Sequence, residues 1–416
     1  MNLYVYFENQ KVGTLVRNTD LVYSFSYTES WQNSKNSFPL SLAMPLTQKK
    51  FQNKITLSFF ENLLPEGDLR KTLENDHHIK GTFEFLENFG QDCAGAFVVT
   101  KDENFFVRQS SQGLVEVPLS TIYEAINKKK PVADVIAAMD PGYLSLAGAQ
   151  DKFPAIYKKG RFYLPQGGGA TTHIIKTPIQ RKGIKESVYN EYYCMQLARE
   201  VGFKIPKCQI LDGPHPLFII ERYDRSSEKR IVSRIHQQDF CQAQGITSEF
   251  KYEAKGGPSI QRNYELILNS VAAKKRLPNA EDFLDWICFN LLIGNNDSHS
   301  KNISLLFHDG KNELAPFYDL ISTAIYPSLK KDFAFAIGQR TDFSKIGLKQ
   351  FKLLENQLQM KPGTFHQRIN AVIKRVENKK DNLADRIESE FSQARIAKRI
   401  SDLIERRIKG LRQQGV

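Results

Sequence analysis

The residues of this chain that are best suited to chemistry lie in the segment Asp297-Ser-His-Ser-Lys-Asn302, with Asp319 seventeen positions after Asn302. ATP-dependent phosphoryl transfer needs one carboxylate that orients the attacking hydroxyl. It also needs an amide and a second carboxylate that hold Mg²⁺ against the triphosphate. An Asp-x4-Asn spacing followed by another Asp is typical of protein kinases. The three side chains therefore indicate a site for phosphoryl transfer.

A lysine and a glutamate upstream complete this set in the expected order. Lys176 ends an apolar strand, and Glu191 lies in a helix that is predicted to start with Ser187 as its N-cap. A carboxylate among the mostly apolar neighbours of Glu191 is costly unless it is paired. Lys176 alone would be an ordinary exposed lysine at a strand end. With Glu191 as its partner, it is predicted to point at the α- and β-phosphates of ATP.

The element before the first segment must give Asp297 a rigid base. Residues 283–293 are apolar almost all round, which predicts a buried helix, and the loop with Asp297 follows directly. Polar residues on such a base are good catalytic candidates. The alternative is an Asx-rich turn that only caps the helix. Asp319 stands in an apolar run, where it is either a metal ligand or an ordinary turn residue.

A weaker signal for a phosphate-binding loop lies in residues 145–152. Residues 145–152 lie where a loop covering the phosphates would be, and their small side chains would let backbone N–H groups approach a phosphate. The segment is neither a Gly-x-Gly-x-x-Gly loop nor a Walker A motif, so a flexible connection is the alternative.

A metal hydrolase built on His299 is not indicated, because the chain has eight histidines and no His-x-x-x-His pair.

Composition indicates a cytoplasmic globular protein of two to three domains. The 416 residues are 41% hydrophobic and 25% charged. No apolar run predicts a membrane span, and the N-terminus lacks the pattern of a signal peptide. Five scattered cysteines fit a reducing compartment. The net charge of +12 favours a polyanionic partner such as nucleotide, nucleic acid or an acidic protein, or else a solvated basic surface.

The order of predicted elements gives an α+β, two-lobed, protein-kinase-like fold. A hairpin is predicted from residues 3–7 and 12–16, and the chain turns helical beyond about residue 260. The predicted parts are a β-rich N-terminal subdomain (1–105), a connector (106–144), small-lobe elements with the candidate phosphate loop (145–255), and a helical catalytic lobe (256–416). The hinge within 145–255 is implied only by the family resemblance given next.

Several long motifs resemble those of the HipA family, the kinase toxins of bacterial HipBA toxin–antitoxin modules. The resemblance covers nearly the whole chain and is weakest after about residue 340. It implies a serine/threonine protein kinase fold with an added N-terminal subdomain. The matching stretches are Asn62-Leu-Leu-Pro-Glu66, Phe89-Gly-Gln-Asp-Cys-Ala-Gly-Ala96, Ser145-Leu-Ala-Gly-Ala-Gln-Asp-Lys152, Thr171-Thr-His-Ile-Ile-Lys176, Asn190-Glu-Tyr-Tyr-Cys194, Glu221-Arg-Tyr-Asp-Arg225, Lys251-Tyr-Glu-Ala-Lys-Gly-Gly-Pro258, Asp297-x-His-x-Lys-Asn302 and Pro316-Phe-Tyr-Asp-Leu-Ile-Ser322.

The resemblance implies a role for each matched position. Asp297 would be the catalytic base, Asn302 and Asp319 would hold Mg²⁺ beside the nucleotide, and Lys176 would bind the phosphates of ATP. Ser145 matches the autophosphorylated serine of the family. The remaining positions implied to bind ATP are Ala147, Gly148, Ala149, Gln150, Asp151 and Lys152 in the nucleotide loop, Glu221, Arg222 and Tyr223 at the adenine hinge, and His299, Ser300, Lys301 and Tyr318 near the catalytic loop.

The resemblance also implies partners and a switch. Family targets include aminoacyl-tRNA synthetases, whose phosphorylation stops translation and causes growth arrest and persistence. The family partner is HipB, a helix-turn-helix antitoxin that brings the complex onto operator DNA. Phosphate on Ser145 would add about −1.5 to −2 charges beside the nucleotide loop and expel the loop from the site. Asp151 and Tyr223 stand where the family has Glu and Phe, and they keep the charge and the aromatic ring.

Two other functions compete with a protein kinase toxin. A nucleotide-binding corepressor without catalysis would fit the basic charge and the basic C-terminal helix, although packing explains that helix equally well. Intact Lys176, Asp297, Asn302 and Asp319 argue against it, since an inactive kinase usually lacks one of them. A small-molecule kinase shares the same residues.

Overall fold

The computed structural model describes residues 1–106, 113–140, 142, 147–228, 231–308 and 310–416. The predicted autophosphorylation residue Ser145 lies outside these ranges. The chain divides into two compact units. Unit 1 consists of Met1–Thr177, Gly213–Ser248 and Leu305–Gly310, and unit 2 consists of Pro178–Asp212, Glu249–Ser304 and Lys311–Val416.

The fold is α+β, as the sequence predicts. The strands in chain order are β1 (Asn2–Phe7), β2 (Gln10–Arg17), β3 (Tyr23–Tyr27), β4 (Lys50–Gln52), β5 (Phe97–Thr100), β6 (Leu114–Val117), β7 (Lys152–Lys158), β8 (Arg161–Pro165), β9 (His173–Lys176), β10 (Cys208–Leu211), β11 (Leu217–Glu221), β12 (Arg225–Glu228), β13 (Ile231–Arg234), β14 (His236–Asp239), β15 (Ser304–His308), β16 (Lys311–Leu314), β17 (Asp332–Ile337) and β18 (Arg340–Asp342). The α-helices are α1 (Glu29–Gln32), α2 (Asn53–Phe60), α3 (Gly67–Asp76), α4 (Gly81–Phe89), α5 (Leu119–Asn127), α6 (Val132–Met139), α7 (Ser187–Glu200), α8 (Phe240–Ala243), α9 (Ile260–Ser270), α10 (Ala273–Ile293), α11 (Leu348–Gln357), α12 (Thr364–Glu377), α13 (Lys380–Glu390) and α14 (Ile396–Gln413).

The N-terminal part of unit 1 is an antiparallel sheet in the order β4, β3, β2, β1, β5. The predicted hairpin is confirmed, since β1 and β2 pair Asn2 with Val16 and Val5 with Gly13. Gly13 leaves room for a ring, because a Cβ atom there would lie 2.3 Å from Phe25. The core beside this sheet is rich in aromatic side chains: Phe25, Tyr27, Trp31, Phe38, Phe51, Phe59, Phe60 and Phe97.

The second sheet of unit 1 carries Lys176. Strands β11, β9, β7, β8 and β6 lie side by side in that order. Lys176 ends β9, where it is paired with Phe218 on one side and with Lys152 on the other. Its side chain is 5% exposed, so the predicted strand-end lysine is buried. The predicted hairpin of β7 and β8 is confirmed, whereas the short edge strand β6 lies where the sequence predicts only a connector.

Five charged side chains are buried together in unit 1. Asp92 accepts hydrogen bonds from Arg222 (2.9 Å), Arg225 (2.9 Å) and Arg234 (3.2 Å). Asp224 accepts from Nε of Arg222 at 3.0 Å. Burial by itself raises the pKa of both carboxyl groups, but the guanidinium groups outweigh it and hold both pKa values below the usual range. The network therefore ties the segment after α4 to the segment after β11.

Unit 2 is mainly helical. α10 packs on α9, α12 and α14, and α14 also packs on α13 and α7. The prediction of a wholly helical chain beyond about residue 260 is wrong in part, because β15 to β18 interrupt the helices. The predicted basic C-terminal helix, with an apolar face from Leu383 to Leu411, is two helices, α13 and α14. In the part of the chain described, none of the helices combines the length and the apolar character that a bilayer span requires.

We expect the buried charge network to contribute strongly to the stability of unit 1. Asp92→Asn removes the charge that faces three guanidinium groups, and breaking a buried ion pair costs roughly 3–5 kcal/mol. Urea unfolding should therefore show a clearly lower midpoint for this variant. Glu103→Gln removes the partner of Lys11 in an exposed pair and should leave the midpoint unchanged. Equal midpoints for the two variants would contradict a structural role of the network.

We expect the free energy of unfolding of unit 1 to depend on pH because of His236. Its ring is stacked on Phe38, and Nε2 lies 2.9 Å from the carbonyl oxygen of Leu40. Burial lowers the pKa of His236 to about 4, whereas an unfolded chain titrates near about 6.5. Protonation therefore favours the unfolded state, so the stability present above about pH 6.5 falls by up to about 3 kcal/mol as the pH drops towards 4.

Urea unfolding between about pH 7.5 and 4.5 measures this slope. His236→Gln keeps a donor near Leu40 and does not titrate, so its stability should fall less over the same range. Identical slopes for the two proteins would rule His236 out as the titrating group.

Candidate active site

The loop after α10 carries an exposed carboxylate on a buried base. Residues 286–293 at the end of α10 are buried, and the helix ends before Gly294, whose φ of 71° is left-handed. A Cβ atom at Gly294 would lie 2.7 Å from Ala324, so glycine allows a close turn here. Ser298 and Ser300 are fully buried, but Asp297 between α10 and these serines is exposed. The loop therefore presents Asp297 from a rigid core, as the sequence predicts.

A buried asparagine connects the two predicted carboxylate positions. Nδ2 of Asn295 donates to Oδ1 of Asn290 (2.8 Å) and to the backbone carbonyl of Asp319 (3.3 Å). Oδ1 of Asn295 accepts from the backbone N–H of Asp297 (3.2 Å). Asn295 is 1% exposed. The residue types alone did not single out Asn295. Its side chain nevertheless makes hydrogen bonds to the backbones of both Asp297 and Asp319.

Asp319 itself has an unusual backbone. Its φ of 58° lies in the left-handed region, which costs energy for a residue with a side chain, although Asp tolerates it better than most. Such strain persists only where the surroundings fix it, and it is frequent at functional sites. The contact from Asn295 supplies part of that fixation. Asp319 is therefore placed by the fold rather than by local preference.

Asn302 is bound to the same loop through its amide nitrogen. Nδ2 of Asn302 donates to the backbone carbonyl of Asp297 (2.9 Å), and the backbone N–H of Asn302 donates to the carbonyl of His299 (2.9 Å). The amide oxygen of Asn302 and the carboxylate of Asp319 are hard oxygen donors of the kind that Mg²⁺ prefers. The residue types thus fit the predicted cation, and their role as ligands stays a prediction.

Other predicted nucleotide contacts have structural partners in unit 2. Ser300 is fully buried and its hydroxyl accepts from Nδ2 of Asn263 in α9 (2.9 Å). The hydroxyl of Tyr318 donates to the backbone carbonyl of Lys301 (2.8 Å) and lies 2.8 Å from Oγ of Ser304. These contacts hold the catalytic loop to α9 and to the segment before Asp319. The structure thus brings Asp297, Asn302, Tyr318 and Asp319 into one hydrogen-bonded region.

Helix α7 places Glu191 and clamps the segment after Asp319. Asn190 is fully buried, accepts from the N–H of Ser322 (2.8 Å) and donates to its carbonyl (2.9 Å). Glu191 is 1% exposed. It belongs to unit 2 and Lys176 to unit 1, so the pairing of the two stays a prediction. The predicted N-cap is wrong, because Ser187 is the first helical residue and its hydroxyl accepts from the N–H of Ile179 (2.8 Å).

In unit 1 the predicted nucleotide loop is fixed at both ends. The carbonyl of Gly148 accepts from the N–H of Glu66 (3.0 Å). The carboxylate of Asp151 accepts from the N–H groups of Val132 (2.9 Å) and Ala133 (3.1 Å), at the start of α6. Burial raises the pKa of Asp151, and these hydrogen bonds oppose it. The side chain of Asp151 therefore holds the loop to α6.

Two side chains of the predicted hinge, Arg222 and Tyr223, make polar contacts within unit 1, while Glu221 is exposed. The backbone N–H of Arg222 donates to the carbonyl of Thr172 (2.9 Å), next to the pair formed by Glu221 and His173. The guanidinium of Arg222 belongs to the buried charge network. The hydroxyl of Tyr223 donates to the side-chain oxygen of Gln237. Contacts from this segment to a nucleotide stay a prediction.

Comparisons with known proteins agree with this architecture. The family model for the HipA N-terminal domain matches residues 3–100, and that for the HipA-like C-terminal domain matches residues 144–380. "Putative kinase Y4mE" of Sinorhizobium fredii is 34% identical over 83% of this chain and 82% of its own length. "Serine/threonine-protein kinase toxin HipA" of Shewanella oneidensis is 33% identical over 78% of this chain and 75% of its own length.

A solved structure shares the fold. The complex of HipA, HipB and operator DNA from Shewanella oneidensis MR-1 contains a chain that superposes with a TM-score of 0.83. The match covers 98% of this chain and 97% of that one, at 24% sequence identity.

Asn295 gives the site a direct test. Asn295→Asp keeps the shape but replaces a donor with a second acceptor, so it loses the hydrogen bonds to Asn290 and Asp319. A buried acceptor left without its donor costs about 1–3 kcal/mol, and more when it is charged. Urea unfolding should show that loss, and hydrogen exchange should speed up across residues 297–302. Asn356→Asp, at an exposed position of α11, is the matched control and should change neither. Native stability and exchange in Asn295→Asp would show that this amide does not hold the loop.

Proposed function

The chain belongs to the HipA family of kinases, and we propose that it is an ATP- and Mg²⁺-dependent serine/threonine protein kinase toxin of a toxin–antitoxin module. One observation carries the proposal. The exposed carboxylate of Asp297 stands on a buried loop whose hydrogen bonds also hold Asn302 and the backbone of Asp319. That is the residue set for phosphoryl transfer in one fixed arrangement.

Each residue has a defined task in this proposal. Asp297 accepts a hydrogen bond from the serine or threonine hydroxyl of the substrate and takes its proton as the oxygen bonds to the γ-phosphorus. The bond from that phosphorus to the β,γ-bridging oxygen breaks in the same step, and ADP leaves. Asn302 and Asp319 would hold Mg²⁺, whose charge would offset that of the phosphates. Lys176 binds the α- and β-phosphates, and Glu191 directs it.

The nucleotide is proposed to contact two segments of unit 1. Residues 147–152 would cover the phosphates, with the backbone as the main contact, since the side chain of Asp151 caps α6. Residues 221–223 would border the adenine through their backbone, because the side chain of Arg222 is committed to Asp92 and Asp224. The residues of unit 2 that the family resemblance implies to contact the nucleotide are His299, Ser300, Lys301 and Tyr318.

The target and partners follow from the family. We propose that the kinase acts in the cytoplasm on a translation component such as an aminoacyl-tRNA synthetase, which would cause growth arrest and persistence. A HipB-like antitoxin would bind it and bring it to operator DNA, and the related complex of HipA, HipB and operator DNA from Shewanella oneidensis supports this set of partners. The net charge of +12 favours a polyanion nearby. Autophosphorylation at Ser145 would switch the kinase off by expelling the nucleotide loop from the site, which would lower the affinity for ATP.

The competing functions predict different chemistry. A nucleotide-binding corepressor without catalysis would bind ATP and transfer nothing. A small-molecule kinase would transfer phosphate to a metabolite and leave the protein unmodified. The exposed position of Asp297 favours catalysis, since a scaffold has no need of an exposed carboxylate on a buried loop.

Mass spectrometry after incubation with Mg-ATP tests the proposal. Phosphate is expected on Ser145 of the native chain. Asp297→Ala removes the base, which is typically worth about 10²–10⁴-fold in rate, so phosphate should be absent or strongly delayed. Chelation of Mg²⁺ should stop the reaction of the native chain. Asp402→Ala, at an exposed position in α14, is the control and should react normally.

The phosphorylated protein should then bind ATP more weakly than the unmodified protein. Tight ATP binding without any phosphate on the native chain would contradict a protein kinase and favour one of the competing functions.

A further inference from the structure

The hydroxyl of Tyr252 reaches the carboxylate of Asp297, and the function proposed above makes no use of this contact. Its Oη atom donates a hydrogen bond to Oδ1 of Asp297, 45 positions along the chain. The ring of Tyr252 stands edge-on to that of His299, with 4.9 Å between the centroids and 85° between the planes. A phenol thus lies beside the group that is proposed to take the proton of the acceptor.

The local chain holds Tyr252 in this place. The backbone carbonyl of Tyr252 accepts from the N–H of Gly257 at 3.0 Å. Gly257 permits this tight loop, because a Cβ atom there would lie 1.9 Å from the carbonyl oxygen of Phe250. The next residue, Glu253, accepts from the N–H of Ala336 in β17 at 2.8 Å. Tyr252 therefore stands on a loop that is anchored close to the ring.

The backbone of Asp297 is fixed by hydrogen bonds that do not involve Tyr252. Oδ1 of Asn295 accepts a hydrogen bond from the backbone N–H of Asp297 (3.2 Å). The backbone carbonyl of Asp297 accepts from Nδ2 of Asn302 and from the N–H of His299, both at 2.9 Å. These bonds set the position of the Cα atom and do not set the direction of the carboxylate. A contact to the carboxylate itself has to do that.

We infer that Tyr252 is a positioning residue, which holds Oδ1 of Asp297 so that Oδ2 faces the incoming acceptor hydroxyl. The inference rests on the proposed function, in which Asp297 is the base. Phosphoryl transfer depends mainly on alignment, and a misplacement of about 1 Å in a reacting group can cost about a hundredfold in rate. A carboxylate held at one oxygen has fewer directions in which the other can point.

Two cations beside the ring support this role. Nζ of Lys251 lies 5.5 Å and Nζ of Lys330 lies 5.6 Å from the centroid of Tyr252. Positive charge near a phenol makes its hydroxyl a better donor to a carboxylate. The segment of Lys330 is tied to the catalytic loop, because its carbonyl accepts from Nδ2 of Asn296 (3.0 Å). The donor, the base and the cations therefore belong to one fixed region of unit 2.

The test compares Tyr252→Phe with Tyr264→Phe, a matched loss of one phenolic hydroxyl on α9 of the same unit. The rate of phosphate incorporation into the chain is measured over a range of ATP concentrations, and ATP binding is measured separately. We expect the maximal rate of Tyr252→Phe to fall about tenfold to a hundredfold, with the half-saturating ATP concentration within about twofold of the native value. Tyr264→Phe should behave like the native chain.

Each other outcome overturns the inference. An unchanged maximal rate in Tyr252→Phe would mean that the contact does not align Asp297. A rate and an ATP affinity that fall together would indicate a general structural role. Phosphate found on Tyr252 of the native chain would make this residue an acceptor instead. A native chain that transfers no phosphate at all would refute the proposed function itself, which separates that failure from the others.

Discussion

The candidate site depends on how the C-terminal end of α10 is closed inside unit 2. The last carbonyls of a helix have no partner within it, and a buried helix cannot give them to water. Gly294 turns the chain, the N–H of Asn295 donates to the carbonyl of Asn290 (2.9 Å), and Arg407 donates to the carbonyl of Leu291 (2.8 Å). Burial lowers the pKa of Arg407 to about 10, so it is still charged at neutral pH and stands at the negative end of the helix dipole. One cation and one turn thus fix the point from which the loop with Asp297 starts.

The family motifs contain two kinds of residue, and only the contacts separate them. Arg222 and Asp224 belong to a motif at the predicted hinge, yet their side chains form part of a buried charge network. Asp151 belongs to the predicted nucleotide loop, yet its carboxylate caps α6. Asp297 belongs to a motif in the same way and is exposed. A resemblance therefore identifies which positions matter, while burial and hydrogen bonds tell which side chains are committed to the fold.

Much of the fold could be predicted because it rests on local patterns. The apolar run of α10 and the hairpins of β1–β2 and β7–β8 are all readable within about twenty residues. The features that could not be predicted from the sequence depend on contacts between residues that are far apart along the chain. Asn295 meets Asp319 across 24 positions, and Arg407 meets Leu291 across 116. The short strands β6, β16 and β18 have too few residues for a period-2 pattern to stand out, and their pairing comes from the tertiary fold.

The residue pattern left the loop after α10 open between an Asx-rich turn that caps a helix and a catalytic loop. The structure confirms the Asx-rich turn at the helix end, and the catalytic role of Asp297 stays a prediction. Asn290 and Asn295 close the helix end, and Asn296 donates from its side chain to the carbonyl of Lys330 and from its backbone N–H to the hydroxyl of Thr323. Because these amides all have partners, the backbone is held in one arrangement. Asp297 gains a fixed position from that arrangement while its carboxylate stays at the surface. A helix cap built from asparagines therefore fixes the backbone from which the carboxylate of Asp297 projects.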